Sequence, residues 1–195
     1  MTKLIAAQQP DLPLIASLHK KVYSKSHFTS RFSDKLLKKY YECFFREQCF
    51  VIKSLVNGAD PNEINGFIVC GVGIPEQIKL FKKHNRTLIY LTIFFNPMAA
   101  LRKVIGQIYH QFFDFAIPFS QAPFLILSIA SDRSISGIGL SLLTYSKNLS
   151  RSLGFNAIGL YVRVNNIKAV NFYIRNGFSI KGYKSGQFYL EADTE

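Results

Sequence analysis

The stretch from Phe124 to Leu153 constrains this chain more than any other. An almost unbroken apolar run, Phe124–Ala130, meets a polar turn over Ser131–Ser136 and then Gly137-Ile138-Gly139. Behind it Ile138, Leu142, Tyr145, Leu149 and Leu153 recur at helical spacing, and Gly154 stands where a helix commonly ends. A run with no polar alternation predicts a strand covered on both faces, so helices must lie on either side of a sheet. Glycine lets backbone approach a ligand closely, and the first turn of a helix offers unpaired N–H groups with partial positive charge. Strand, Gly-x-Gly and helix can therefore cradle a phosphate. The unit is not a Walker A loop, since no Gly-Lys-Ser/Thr follows, nor a dinucleotide fingerprint, since Leu142 stands where the third glycine belongs. Taken alone, the two glycines fit a simple tight turn equally well.

The rest of the chain reads as one α/β domain over residues 1–195, with no linker and no internal repeat. Leu4–Ala7 predicts a first strand. Asp11 supplies an N-cap and Pro13 an early helical proline for a helix whose Leu14, Ile15, Leu18 and Val22 share a face. Ser33-Asp34 opens a second helix through about Glu47, with Leu37, Tyr40, Tyr41 and Phe44 on its apolar side. Cys49–Leu55 and Ile64–Val72 flank a run rich in turn formers and pair as a hairpin. Pro75–Arg86 predicts a short basic helix. Asn96-Pro97 precedes a stripe of Met98, Leu101, Ile105, Ile108, Phe112 and Phe115, which predicts a helix lying on a core and ending at Pro118. Ala157–Val164 is a strand, Asn165-Asn166 caps a helix to about Arg175, and Phe178–Tyr183 with Gln187–Leu190 closes the chain as a hairpin.

Composition narrows the chemistry. Lys and Arg number 24 against 12 Asp and Glu, a formal charge of +12 spread over both halves. Such a field favours an anionic partner (nucleic acid, an acidic surface or a polyphosphate), and equally suits a solubilising surface. Cys43, Cys49 and Cys70 form no metal-spaced pair and sit among apolar neighbours, which reads as reduced, buried thiols of a cytoplasmic protein. His19, His27, His84 and His110 show no metal motif. The apolar run near Leu88–Phe95 is far shorter than the ~20 residues of a membrane span, and no secretory leader is seen at the N-terminus.

Residues 134–178 resolve the ambiguity of the two glycines. Ser134-Ile135-Ser136-Gly137-Ile138-Gly139 is followed by Asn166-Ile167-Lys168-Ala169, then Phe172-Tyr173 and Gly177-Phe178. This ordered set, covering about Phe124–Tyr183, resembles the GNAT superfamily of acyl-CoA N-acyltransferases. That family carries Arg/Gln-x-x-Gly-x-Gly/Ala, Asn-x-x-Ala, Phe-Tyr and Gly-Phe in the same order. Ser134 departs from the pattern, which has Arg or Gln there, and Arg133 stands one place earlier.

The resemblance implies a mixed, mostly antiparallel central sheet, splayed between its fourth and fifth strands, with helices on both faces. It implies acetyl-CoA as acyl donor in that gap, and no metal. Backbone groups near Ile129 would bond the pantetheine arm, and N–H groups of Ser134, Ile135, Ser136, Gly137, Ile138, Gly139 and Leu140 would hold the pyrophosphate. Asn166 matches a position that contacts the pantetheine arm. Tyr173 matches the tyrosine that protonates the departing thiolate, a step a phenol of ordinary pKa ~10 can perform. A neutral primary amine would attack the thioester directly, with no covalent enzyme intermediate. Motifs at about 124–183 would bind the donor, and residues 1–120 would frame the acceptor.

The acceptor and the general base are not legible. Ser128, Asp132, Glu42, Glu47 and His27 are candidate bases, and no spacing singles one out. The first two helices carry Lys20, Lys21, Lys25, Arg31, Lys35, Lys38, Lys39 and Arg46, and a basic insert adds Lys79, Lys82, Lys83 and Arg86. This rim suits a small-molecule or peptide amine that also bears phosphate or carboxylate; aminoacyl-tRNA is the nucleic-acid alternative. A non-catalytic module that senses acyl-CoA or binds a partner is the other reading. A homodimer is open, as members of the family often pair.

Overall fold

The computed structural model describes residues 2–23, 27–56, 63–95, 120–132 and 134–194. Its strands are β1 (Thr2–Ala6), β2 (Cys49–Val56), β3 (Gly66–Gly71), β4 (Phe124–Ser131), β5 (Ala157–Arg163), β6 (Ser179–Lys184) and β7 (Gln187–Asp193). Its helices are α1 (Leu12–Val22), α2 (Asp34–Glu42), α3 (Ile74–His84), α4 (Arg86–Phe94), α5 (Ile138–Ser152) and α6 (Ile167–Arg175), with short 3-10 turns at Gln9–Asp11 and Phe28–Arg31. The strands form one seven-stranded sheet in the order β1-β2-β3-β4-β5-β7-β6. Every neighbouring pair is antiparallel except β4–β5, which is parallel.

Alternation along β3 explains why helices cover both faces. Phe67 and Val69 point into a core shared with Ile15, Leu18, Leu36, Leu37 and Tyr41 of α1 and α2. Ile68 and Cys70 point the other way, toward Ile138, Leu142 and Leu143 of α5 and Val170 of α6. The period of two in a strand sends neighbours to opposite faces, and here both destinations are apolar. Burial of so many branched and aromatic side chains, at ~1.5–3 kcal/mol each, is the main stabilising term.

Two local expectations are corrected, and one helix was not expected. Asp11 does not cap α1. Its carboxylate accepts from the Gln8 N–H at 2.8 Å and from Lys53 Nζ at 2.6 Å, so the side chain ties the entry of α1 to β2 instead. Helix α2 ends at Glu42 rather than Glu47. Turns at Phe44 and Phe45 reverse the chain, and Gln48 takes a positive φ to enter β2, while Phe44 still fills the core. The apolar run near Leu88 forms a second helix, α4, directly behind the basic one, with Tyr90, Leu91 and Phe94 exposed. The helix expected over Met98–Phe115, and Lys25, His110 and Arg133, lie outside the described residues. Among the described residues, no helix is long and apolar enough to cross a membrane.

Candidate active site

The parallel pair β4–β5 is in register for only three residues: Phe124 with Ile158, Leu125 with Gly159, and Ile126 with Leu160. Beyond Ile126 the two strands part. The cause lies on the opposite edge of β4, where Val69 faces Ser128 but Cys70 faces Ile126, leaving Leu127 as an extra, bulged residue. A bulge bends its strand and increases its twist, and this one follows directly after the last β4–β5 pair. The expected splay between the fourth and fifth strands is therefore present, and the bulge that opens it left no mark in the sequence.

Ile129 faces this gap. The Asp132 N–H bonds the Asn65 carbonyl at 2.7 Å, continuing the β3–β4 ladder. Alternation in an antiparallel ladder then turns the peptide groups of Ala130 and Ser128 toward β3 and those of Ile129 toward the gap. From α1, Tyr23 reaches across to the same place. Its hydroxyl donates to the Ile129 carbonyl at 3.0 Å and shares a 2.7 Å bond with Ser128 Oγ.

The loop at the end of β4 has the form of an anion cradle. Gly137, at φ +85°, turns the chain into α5, a conformation in which an L side chain is strained. Among the described residues, the N–H groups of Ser136, Gly137, Ile138, Gly139 and Leu140 make no backbone bond, so they remain for a ligand. Ser134 and Ile135 differ. The Ser134 N–H and hydroxyl both donate to Asp132 Oδ1, at 3.0 and 2.9 Å, and the Ile135 N–H bonds the Asp132 carbonyl. Asp132 also pairs with Lys21 Nζ at 2.6 Å. These partners, Lys21 first, lower its carboxyl to about 2. Ser134 thus shapes the loop from within.

On the other side of the gap Asn166 caps α6, accepting from the Ala169 N–H at 3.4 Å. Tyr173, one helical side further, packs edge-on against Phe172 and Phe178. Its hydroxyl has no hydrogen-bond partner among the described residues, and burial, aided by the nearby Tyr23 phenol, raises its pKa. A phenol kept protonated and unpartnered is suited to donating one proton.

The candidate bases separate cleanly. Glu42 and Glu47 are exposed, Glu47 beside a groove at the β1–β2 edge lined also by Ala6 and Phe50. Asp132 is committed to Lys21 and Ser134. Ser128 and His27, by contrast, both meet Tyr23: its ring lies 4.9 Å from that of His27 and stacks on His19 at 4.3 Å. His19 stands in no motif or spacing that marks it in the sequence. It sits on the apolar face of α1, buried, and burial lowers its pKa to about 3. The basic rim is also partly neutralised, since Lys20 pairs with Asp34 and Lys21 with Asp132. Among the described residues no group of His, Cys, Asp or Glu could hold a metal ion, and the three cysteines are free thiols.

No family model matches this sequence, and no curated protein matches it. Its fold does match solved structures. PaiA N-acetyltransferase from Thermoplasma acidophilum, solved with coenzyme A, aligns over 99% of both chains at TM-score 0.60 and 14% identity. The ribosomal-protein-S18-alanine N-acetyltransferase of Escherichia coli aligns over 100% of this chain and 95% of its own, at TM-score 0.58 and 13% identity. A structure assigned to the GNAT family from Desulfovibrio desulfuricans covers 100% of both chains at TM-score 0.60 and 11% identity. At such identities the likeness shows the fold, and that fold is the one of the GNAT acetyltransferases.

Proposed function

We propose that this chain, which has the GNAT acetyltransferase fold, is an acyl-CoA-dependent N-acetyltransferase that transfers an acetyl group from acetyl-CoA to a primary amine. One observation carries the reading: a gap between β4 and β5, lined by the inward-facing Ile129 peptide, ends at unpaired N–H groups running from Ser136 to Leu140. An extended, hydrogen-bonding arm with a pyrophosphate at one end suits that shape. The residues fit the donor without any metal.

In this mechanism the backbone from Ser136 to Leu140 binds the pyrophosphate, with Ser134 and Asp132 fixing the loop. The Ile129 N–H and the free lone pair of its carbonyl orient the pantetheine arm, and Asn166 starts the helix that closes the gap's far side. The neutral amine attacks the thioester carbon, a C–N bond forms and the C–S bond breaks, the nitrogen releases one proton to solvent, and Tyr173 donates its proton to the departing sulfur and regains one from solvent. Residues 1–120 frame the acceptor and 124–183 hold the donor, in one cytoplasmic protein.

The acceptor is an amine on a peptide or small molecule. Neighbours of this fold include a NatC complex bound to a Gag peptide and CoA, which favours a peptide amine as the first acceptor to try. Calorimetric titration with acetyl-CoA, followed by thiol release against a panel of peptides and small amines, tests the reading. Saturable binding with amine-dependent thiol release supports it. Absence of binding at low salt removes the donor site and with it the enzyme.

A further inference from the structure

Helix α4 buries only one side. Leu88 and Ile89 pack against the core shared by α1 and α2. Helix α3 is pinned to the same core by Ile78 and by Phe81, whose ring meets Tyr40 at 5.2 Å and Phe32 at 6.1 Å. The other side of α4 carries Tyr90, Leu91 and Phe94, and Phe95 stands in the turn that ends it. At about 100° per residue, positions 90, 91, 94 and 95 share one face. All four are exposed, Phe94 and Phe95 at 75% and 74%. Single exposed apolar residues are ordinary on a protein surface, whereas a contiguous group marks a contact.

Positive charge lies beside that face. Asn85 alone joins α3 to α4, and between Ile74 and Phe95 the chain carries Lys79, Lys82, Lys83 and Arg86 against one carboxylate, Glu76. The four cations are exposed, and none is held in a salt bridge among the described residues. Arg86, Tyr90 and Phe94 follow one another at intervals of four, so a cation heads the apolar row. A second copy of this chain fits the face poorly, because a symmetric pair sets the same cations against one another. Nucleic acid would satisfy the cations and stack on the rings, yet it leaves the exposed Leu80 and Leu91 without an apolar partner. An anionic bilayer surface answers every feature. Its headgroup boundary takes up rings and leucines, its phosphates attract the cations, and long Lys and Arg stems can lie along the apolar face. The nine residues of α4 span about 13 Å against ~30 Å of hydrocarbon, so the helix can lie on a bilayer but not cross it.

We propose that α4 rests in the headgroup layer of an anionic lipid bilayer, with Phe94 and Phe95 inserted and the cations of α3 and α4 against the lipid phosphates. Rings three-quarters exposed project from the fold rather than line a hollow in it, a shape that a fluid layer accommodates. The association is reversible, since one short helix inserts few side chains and its electrostatic part is screened beyond ~10 Å in 0.1 M salt. The contact uses no residue of the gap between β4 and β5. Because α3 packs on α2 through Phe81 and Tyr40, the protein meets the lipid through the half proposed to frame the acceptor.

The chain contains no tryptophan, so Phe94→Trp places a single indole on this face and keeps it apolar. The full chain is mixed at low salt with vesicles of phosphatidylcholine alone or of phosphatidylcholine with phosphatidylserine. Only the anionic vesicles should shift the indole emission to the blue and carry the unmodified chain upward in flotation, and added salt should weaken both effects. Phe94→Ser with Phe95→Ser, and separately Lys82→Glu with Lys83→Glu, should each lower the bound fraction about tenfold or more with the thermal midpoint held. Unshifted emission with anionic vesicles overturns the proposal, as does undiminished flotation of either double variant. A shift produced by transfer RNA and by no vesicle assigns the face to nucleic acid instead. Should the serine pair fail to fold, the indole emission decides alone, and neither readout depends on acetyl-CoA.

Discussion

Lys21 and Asp132 lie 2.6 Å apart, so the loop that begins at Asp132 is tied to α1 before any ligand arrives. The same carboxylate holds the Ser134 N–H and hydroxyl. A negative charge therefore sits at the entrance of the proposed pyrophosphate site, where it orders the loop and would oppose the ligand at once.

Replacing Asp132 by Asn separates those two effects. The amide oxygen still accepts from Ser134, while the charge is removed and Lys21 is released. Acetyl-CoA should bind several-fold tighter at low ionic strength, and the gain should shrink in high salt. Calorimetric titration at two salt concentrations reads both; weaker binding at low salt would show that the charge itself organises the loop.

Tyr173→Phe keeps the ring packing against Phe172 and Phe178 and removes only the unpartnered hydroxyl. The expected result is a fall in kcat of roughly 10²-fold or more, with acetyl-CoA affinity within twofold of the unmodified chain. Steady-state rates and calorimetry together check it, and an undiminished kcat excludes Tyr173 as the acid.

The glycines should respond to alanine in opposite ways. At Gly159 a Cβ would come within 2.4 Å of the Tyr189 hydroxyl and 2.8 Å of its ring, on a residue anchored by the Ala122 N–H and Glu191. Gly159→Ala should cost about 1–3 kcal/mol. At Gly139 the nearest atoms lie at 3.5 and 3.9 Å, an ordinary contact, and the position is helical. Gly139→Ala should be neutral or stabilising by up to ~1 kcal/mol and should leave acetyl-CoA binding intact. Chemical denaturation measures both.

Acid should destabilise the fold through His19. Its pKa falls from 6.5 to about 3 on folding, because burial disfavours the charged ring. Between those values the unfolded chain binds a proton the folded one does not, so the contribution is fully present above 6.5 and is lost as pH falls toward 3. The slope is ~1.4 kcal/mol per pH unit for one such group. Denaturation midpoints should drop from pH 7 to 5, with His27 adding to the loss, and His19→Gln should flatten the dependence. A curve equally steep in His19→Gln would place the acid sensitivity elsewhere.

Much of this protein was determined locally and could be read from the chain. The strand-glycine-helix unit is legible because each part answers to near neighbours: Gly137 to a positive φ, Asn166 to the Ala169 N–H, Ile138 and Leu142 to one helical face. Motif order carried the fold and the donor-side residues with it, since those groups lie within about fifty positions of one another. Tertiary structure alone decided the rest. The bulge at Leu127 that parts β4 from β5 depends on the register of a strand far earlier in the chain. Asp11, a natural helix cap by sequence, is drawn instead to Lys53 because β2 brings that ammonium alongside. The bonds that join His19 of α1 to Thr29 of a 3-10 turn and Tyr41 of α2, and Tyr23 to Ser128 and Ile129 of β4, connect positions with no mutual spacing to notice. Short-range geometry writes itself into a sequence as periodicity and turn residues, whereas side chains that meet across a sheet leave no such pattern until the backbone has brought them together.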